Sequence, residues 1–85
     1  MSNETIGTAS VTRLFHINPG IPSEQALEHA SLMLGCINKL TALGASEEDP
    51  TLVWAAHLLG EMAKAIVDDV GLGLQQAEHA TGKTQ

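Results

Sequence analysis

The chain has 85 residues, ten acidic and four basic side chains, and a net charge of −6. That length holds one domain with a marginal core, the acidity opposes nucleic acid and anionic membranes as partners, and a single cysteine, Cys36, excludes an intrachain disulfide. No run approaches the roughly 20 apolar residues of a membrane span. The first residues also lack the basic start and apolar run of a secretory signal, which points to the cytoplasm of a bacterium.

Residues 1–10 combine Ser, Asn, Thr, Gly and Ala with one large apolar side chain, Ile6, and are expected to form a disordered tail. Thr12 to Ile17 (TRLFHI) reads as a short strand ending at the turn signal Asn18-Pro19-Gly20. Phe15 and Ile17 would share a face with Arg13, and Leu14 would lie opposite with Thr12 and His16. No second strand is evident, so its expected partner is the same strand of another copy.

A first helix is expected from Ser23, as N-cap, to Leu43, with Gly44 at C′. Its apolar positions, Ala26, Leu27, Ala30, Met33, Leu34, Ile37, Leu40 and Leu43, recur at three and four. The short polar link 45–50 makes the next helix an antiparallel neighbour, capped by Asp49 with Pro50 in its first turn. In the second helix Leu52, Ala56, Leu59, Ala63, Ile66, Val70 and Gly73 follow a heptad spacing. A second stripe runs beside it: Ala55, Leu58, Met62, Ala65 and Leu72. Gly71 and Gly73 can loosen the helix, and 76–85 is expected to fray. The domain is thus placed at 11–75.

The string Phe15-x-Ile17-x-Pro19-Gly20-Ile21-Pro22-x-Glu24-x-Ala26-Leu27, with Ala30-Ser31-x-x-Leu34 and Trp54-Ala55-Ala56-His57-x-Leu59-x-Glu61-Met62-Ala63-Lys64-Ala65-x-Val67-Asp68-Asp69-Val70, resembles domain of unknown function 3077, a family of small pseudomonad proteins. The resemblance covers about residues 14–74. It implies a bacterial origin and one intact domain, and carries no activity with it.

Candidate chemistry is sparse. His57 and Glu61 stand at i and i+4, a spacing that can hold a metal, but a third ligand is missing, and a solvated pair beside Lys64 is the simpler reading. Asp68 and Asp69 are adjacent, so they diverge by about 100° on a helix and make no acid/base pair. Asp69 falls on the edge of the second stripe, where it is either a solvated rim residue or a partner for a group on another chain. Cys36 lies in an apolar pattern and reads as a small buried hydrophobe. Trp54 packs on Phe15 and the strand, or anchors an interface. No catalytic residue, cofactor or metal is assigned.

The fold class is therefore mainly α: a short N-terminal strand, then an antiparallel helical hairpin that dimerises into a four-helix bundle, because one hairpin cannot cover both stripes of its second helix. The expected interface is Phe15, Ile17, Ala55, Leu58, Leu59, Met62, Ala63, Ile66 and Val70. The expected function is a homodimeric interaction or regulatory module without catalysis, with an unidentified protein as further partner. The alternative is a DNA-binding regulator of the ribbon–helix–helix kind, suggested by the order strand, helix, helix.

Overall fold

A computed structural model of the protein describes residues 3–83, with side chains described as far as Glu78. Its elements in chain order are β1 (Ser10–Val11), β2 (Phe15–His16), α1 (Ser23–Glu47) and α2 (Pro50–Lys83). The helices form an antiparallel hairpin, and the two strands pair with each other.

The heptad seam of α2 is what joins the helices. Ala56, Ala63, Ile66, Val70 and Gly73 are buried, and Leu52 and Leu59 are half-buried. The matching seam of α1 is Ser23, Ala26, Ala30 and Gly44, buried, with Met33, Ile37 and Leu40 half-buried between them. These residues recur at three and four, so they occupy one side of α1. Ala26, Ala30, Ala63, Ile66 and Val70 form the core cluster, with Ile17, Ile21 and Met33 packed against it.

Three helix boundaries differ from the sequence reading. Ser23 does not cap α1: the N-cap residue is Pro22, no side chain caps it, and the buried Ser23 hydroxyl has no partner. The helix also runs on to Glu47, and the left-handed residue after it is Glu48, whose N–H bonds the Gly44 carbonyl. Gly44 is needed inside the last turn for a different reason. A Cβ there would lie 2.9 Å from Val53 Cγ2, so the glycine lets the two helices approach where the chain reverses. At the start of α2 the expectation holds: the Asp49 carboxylate accepts from the Thr51 N–H at 3.0 Å, and Pro50 opens the helix. The far end differs. α2 continues to Lys83 rather than ending near Gly73: that glycine is buried in the seam, and a glycine inside a helix costs only about 1 kcal/mol. Of the expected frayed tail, residues 84 and 85 lie outside the described residues.

The largest departure is at the N-terminus. Residues 3–22 form a strap closed by its own backbone bonds: Ser23 N–H to Asn3 O at 2.7 Å, Thr5 N–H to Ile21 O at 2.8 Å, Gly20 N–H to Thr5 O at 2.9 Å, and Ile17 N–H to Ala9 O at 3.1 Å. The buried Thr5 hydroxyl donates to the Asn18 carbonyl and accepts from the Ile21 N–H. Residues 3–10 are thus built into the domain rather than forming the expected tail; residues 1 and 2 lie outside the described residues. The expected strand at 12–17 is also shorter. Thr12 and Arg13 take positive φ, 52° and 63°, and the Leu14 N–H bonds Val11 O. That is a tight reversal matched to hairpin twist, and it supplies β2 with a partner from the same chain. The interchain strand pairing expected from the sequence is therefore corrected.

Candidate functional site

The most completely buried side chain among the described residues is a carboxylate, Asp69, with no exposed surface. An ion in that position must be fully hydrogen-bonded to be tolerated, and it is. Oδ2 accepts from the N–H groups of Ile6 at 2.7 Å and Gly7 at 3.2 Å, and Oδ1 accepts from Thr8 at 2.8 Å and Ala9 at 3.0 Å. Four successive donors form a concave anion nest, made possible by Gly7 at φ +80°. Burial, the largest single influence, pushes the Asp69 carboxyl up, but the four N–H groups together outweigh it and hold it below the usual aspartate range.

The bond pins the strap across α2. Thr5 and Val11 of the strap are buried, as is Ala65 of the second stripe. The sequence reading had Asp69 either wetted at a rim or paired to another chain; it is instead sealed within its own chain.

The packing of the hairpin also bears on the expected interface. Ala63, Ile66 and Val70 are buried in the core of a single chain and are not available as a docking surface. Ile17 packs half-buried against that core. Ala55, Leu59 and Met62 are half-buried, whereas Phe15 and Leu58 stay exposed. The buried three, Ala63, Ile66 and Val70, belong to the heptad seam, which α1 covers, packed with Ala26 and Ala30.

Other candidates also separate. Trp54 is 64 % exposed and Phe15 59 % exposed. Trp54 meets the edge of the His57 ring, with centroids 5.6 Å apart, and with Val53 these two line a cleft of about 220 Å³. Lys64 bonds Asp68 at 2.7 Å on the surface, and the Asp68 hydrogen bond and charge raise the lysine pKa. Among the described residues no three His, Cys, Asp or Glu side chains gather in a way that could hold a metal. Cys36 is exposed, contrary to the expected buried thiol. At position 36 the helix has turned away from the Met33–Ile37 seam. Among the described residues no helix is long and apolar enough to cross a membrane.

What remains prominent is apolar surface. Leu27, Leu34, Val53, Val67 and Leu74 are each about half exposed, and Leu14 is 78 % exposed at the tip of the β-turn. At 3.6 residues per turn, positions 27 and 34 on α1 and 53, 60, 67 and 74 on α2 fall on one side of the hairpin. Asp69 and Met62 project on the other side, under or near the strap. One broad face of the hairpin is therefore covered in part by the chain itself, and the opposite face is open.

No curated protein and no solved structure gives a match to this chain. A family model described as "Protein of unknown function (DUF3077)" matches residues 4–73. The match begins at Glu4, inside the strap, and ends where the buried seam of α2 ends, so strap and hairpin make up the family's unit. The chain belongs to the DUF3077 family.

Proposed function

We propose that this protein is a non-catalytic interaction module of the cytoplasm that works by pairing with a second copy of itself. The observation that carries the reading is the open apolar face. A soluble monomer scatters its exposed apolar side chains, whereas a contiguous set marks an association surface. Here half-exposed Leu and Val side chains recur along both helices after the strap has covered what it can. The core of a single chain is also thin, dominated by alanine, and a domain of this size gains much from a partner. The absence of a catalytic role is part of the proposal. The buried carboxylate is consumed by four backbone donors, which leaves it no lone pair directed at a substrate. A ribbon–helix–helix mode of DNA binding needs each strand to pair with that of a second copy, and in this fold β2 already has β1.

Light scattering on the eluting protein tests the reading, together with thermal unfolding across a wide range of concentrations. A dimeric mass and a Tm that rises with protein concentration are expected. A monomeric mass with a concentration-independent Tm up to hundreds of micromolar would sink it.

A further inference from the structure

The sequence assigns self-association to Phe15, Ile17 and a set on α2 that mixes Ala55, Leu58 and Met62 of the second stripe with Leu59, Ala63, Ile66 and Val70 of the seam. We infer that two copies meet instead through the open face opposite the strap, carried by Leu27 and Leu34 of α1 and by Val53, Gly60, Val67 and Leu74 of α2. This rests on the homotypic reading above and deepens it by naming the surface.

Three features of that face argue for a second copy as occupant. The first is its periodicity. The positions on each helix are seven residues apart, the repeat that keeps a seam facing a neighbouring helix over several turns. α1 and α2 already use one such repeat for each other, and a second repeat beside it is what a bundle of four helices requires.

The second is charge. Each copy carries −6 overall, so any close approach between copies must avoid acidic surface. The columns 27, 34, 41 on α1 and 53, 60, 67, 74 on α2 read Leu, Leu, Thr and Val, Gly, Val, Leu, with no ionisable group. Glu24, Glu28, Glu61 and the Lys64–Asp68 pair lie farther around the helices.

The third is size. The stretch over which the helices run side by side is as long as α1, 25 residues, or about 38 Å, and two helix diameters make it about 20 Å wide. That gives on the order of 750 Å², close to the roughly 800 Å² per partner of a stable interface. Leu27 and Leu34 stand out on α1, and Val53, Val67 and Leu74, each about half exposed, stand out on α2. Rows of apolar side chains on both helices of one face can pair with the same rows of a second copy about a two-fold axis.

The experiment is sedimentation equilibrium on the full chain and four variants, with circular dichroism confirming helix content. Val67→Glu and Leu34→Glu each place a charge in the proposed interface and should raise the dimer Kd on the order of 100-fold or more. Leu58→Glu and Phe15→Glu, on the strap side, should leave it within a factor of about three. If Val67→Glu loses helix content, Leu34→Glu decides alone, since Leu34 is exposed and outside the core. A wild-type dimer that ignores both open-face charges and dissociates with Leu58→Glu or Phe15→Glu overturns this face and leaves the homotypic reading standing. A monomeric wild type overturns both and leaves the face to a different protein.

Discussion

At the scale of single residues, Asp69 is the position on which most depends. It shares its two oxygens among four N–H donors located 60 to 63 residues earlier in the chain. Hydrogen bonds to a charged group contribute roughly 1.5 to 3 kcal/mol each and are not additive. Replacing Asp69 with Asn keeps the shape, but an NH₂ group then faces two of the donors, and the charge is gone. Asp69→Asn is expected to destabilise the fold by about 2 to 4 kcal/mol in urea titration, and a loss under about 0.5 kcal/mol would show that the nest is dispensable. The sequence made Asp69 visible as an acid on the edge of an apolar stripe. It did not make the donors visible, because backbone N–H groups have no residue signature and Ile6-Gly7-Thr8-Ala9 resembles any polar tail. The one local hint was Gly7, whose φ of +80° the nest requires, and where a Cβ would sit 3.0 Å from Pro19 Cδ.

Elements were legible in proportion to their periodicity. The α2 seam from Leu52 to Gly73 shows in the sequence because burial on one side of a helix imposes a repeat of three and four. The Asp49-Pro50 start was legible because capping chemistry is local. The end of α1 was not. Gly44 matched the pattern of a C′ residue, but its small size serves tertiary approach, which a single helix cannot reveal. Glycine substitutions separate these roles. Gly35 faces open space in α1, so Gly35→Ala should stabilise the protein by roughly 1 kcal/mol through helix propensity alone. Gly44→Ala gains the same propensity, but its Cβ meets Val53 Cγ2 at 2.9 Å and the Asp49 carbonyl at 3.4 Å. Val is stiff at χ1 in a helix, so the strain of about 1 to 3 kcal/mol should outweigh the gain. Thermal unfolding of both variants checks this, and a Gly44→Ala variant as stable as Gly35→Ala would mean the helix junction adjusts freely.

For the whole molecule the question is whether strap and hairpin form one unit, and acid titration can answer it. Because four N–H donors outweigh burial, the folded pKa of Asp69 lies below its unfolded value. A carboxyl shifted in that direction stabilises the fold fully at pH above its unfolded pKa, near 3.9, and the stabilisation is lost as pH falls through the lower folded value. The strap is therefore expected to stay latched through mildly acidic conditions. The test is the stability difference between wild type and Asp69→Asn, measured by urea unfolding at a series of pH values. Contributions common to the two proteins cancel in that difference. It should be flat from about pH 7 to pH 5 and shrink below about pH 4 as the wild-type carboxylate is protonated. If strap and helices unfold together, loss of the Asp69 latch should lower the stability read from helix ellipticity at pH 7 in a single cooperative transition. A difference that collapses near pH 6 would mean the carboxyl is raised, so that burial outweighs the four donors. A difference near zero throughout, with the helices unfolding alone, would mean the strap is an appendage and that Ala65 and its neighbours on α2 are exposed at little cost.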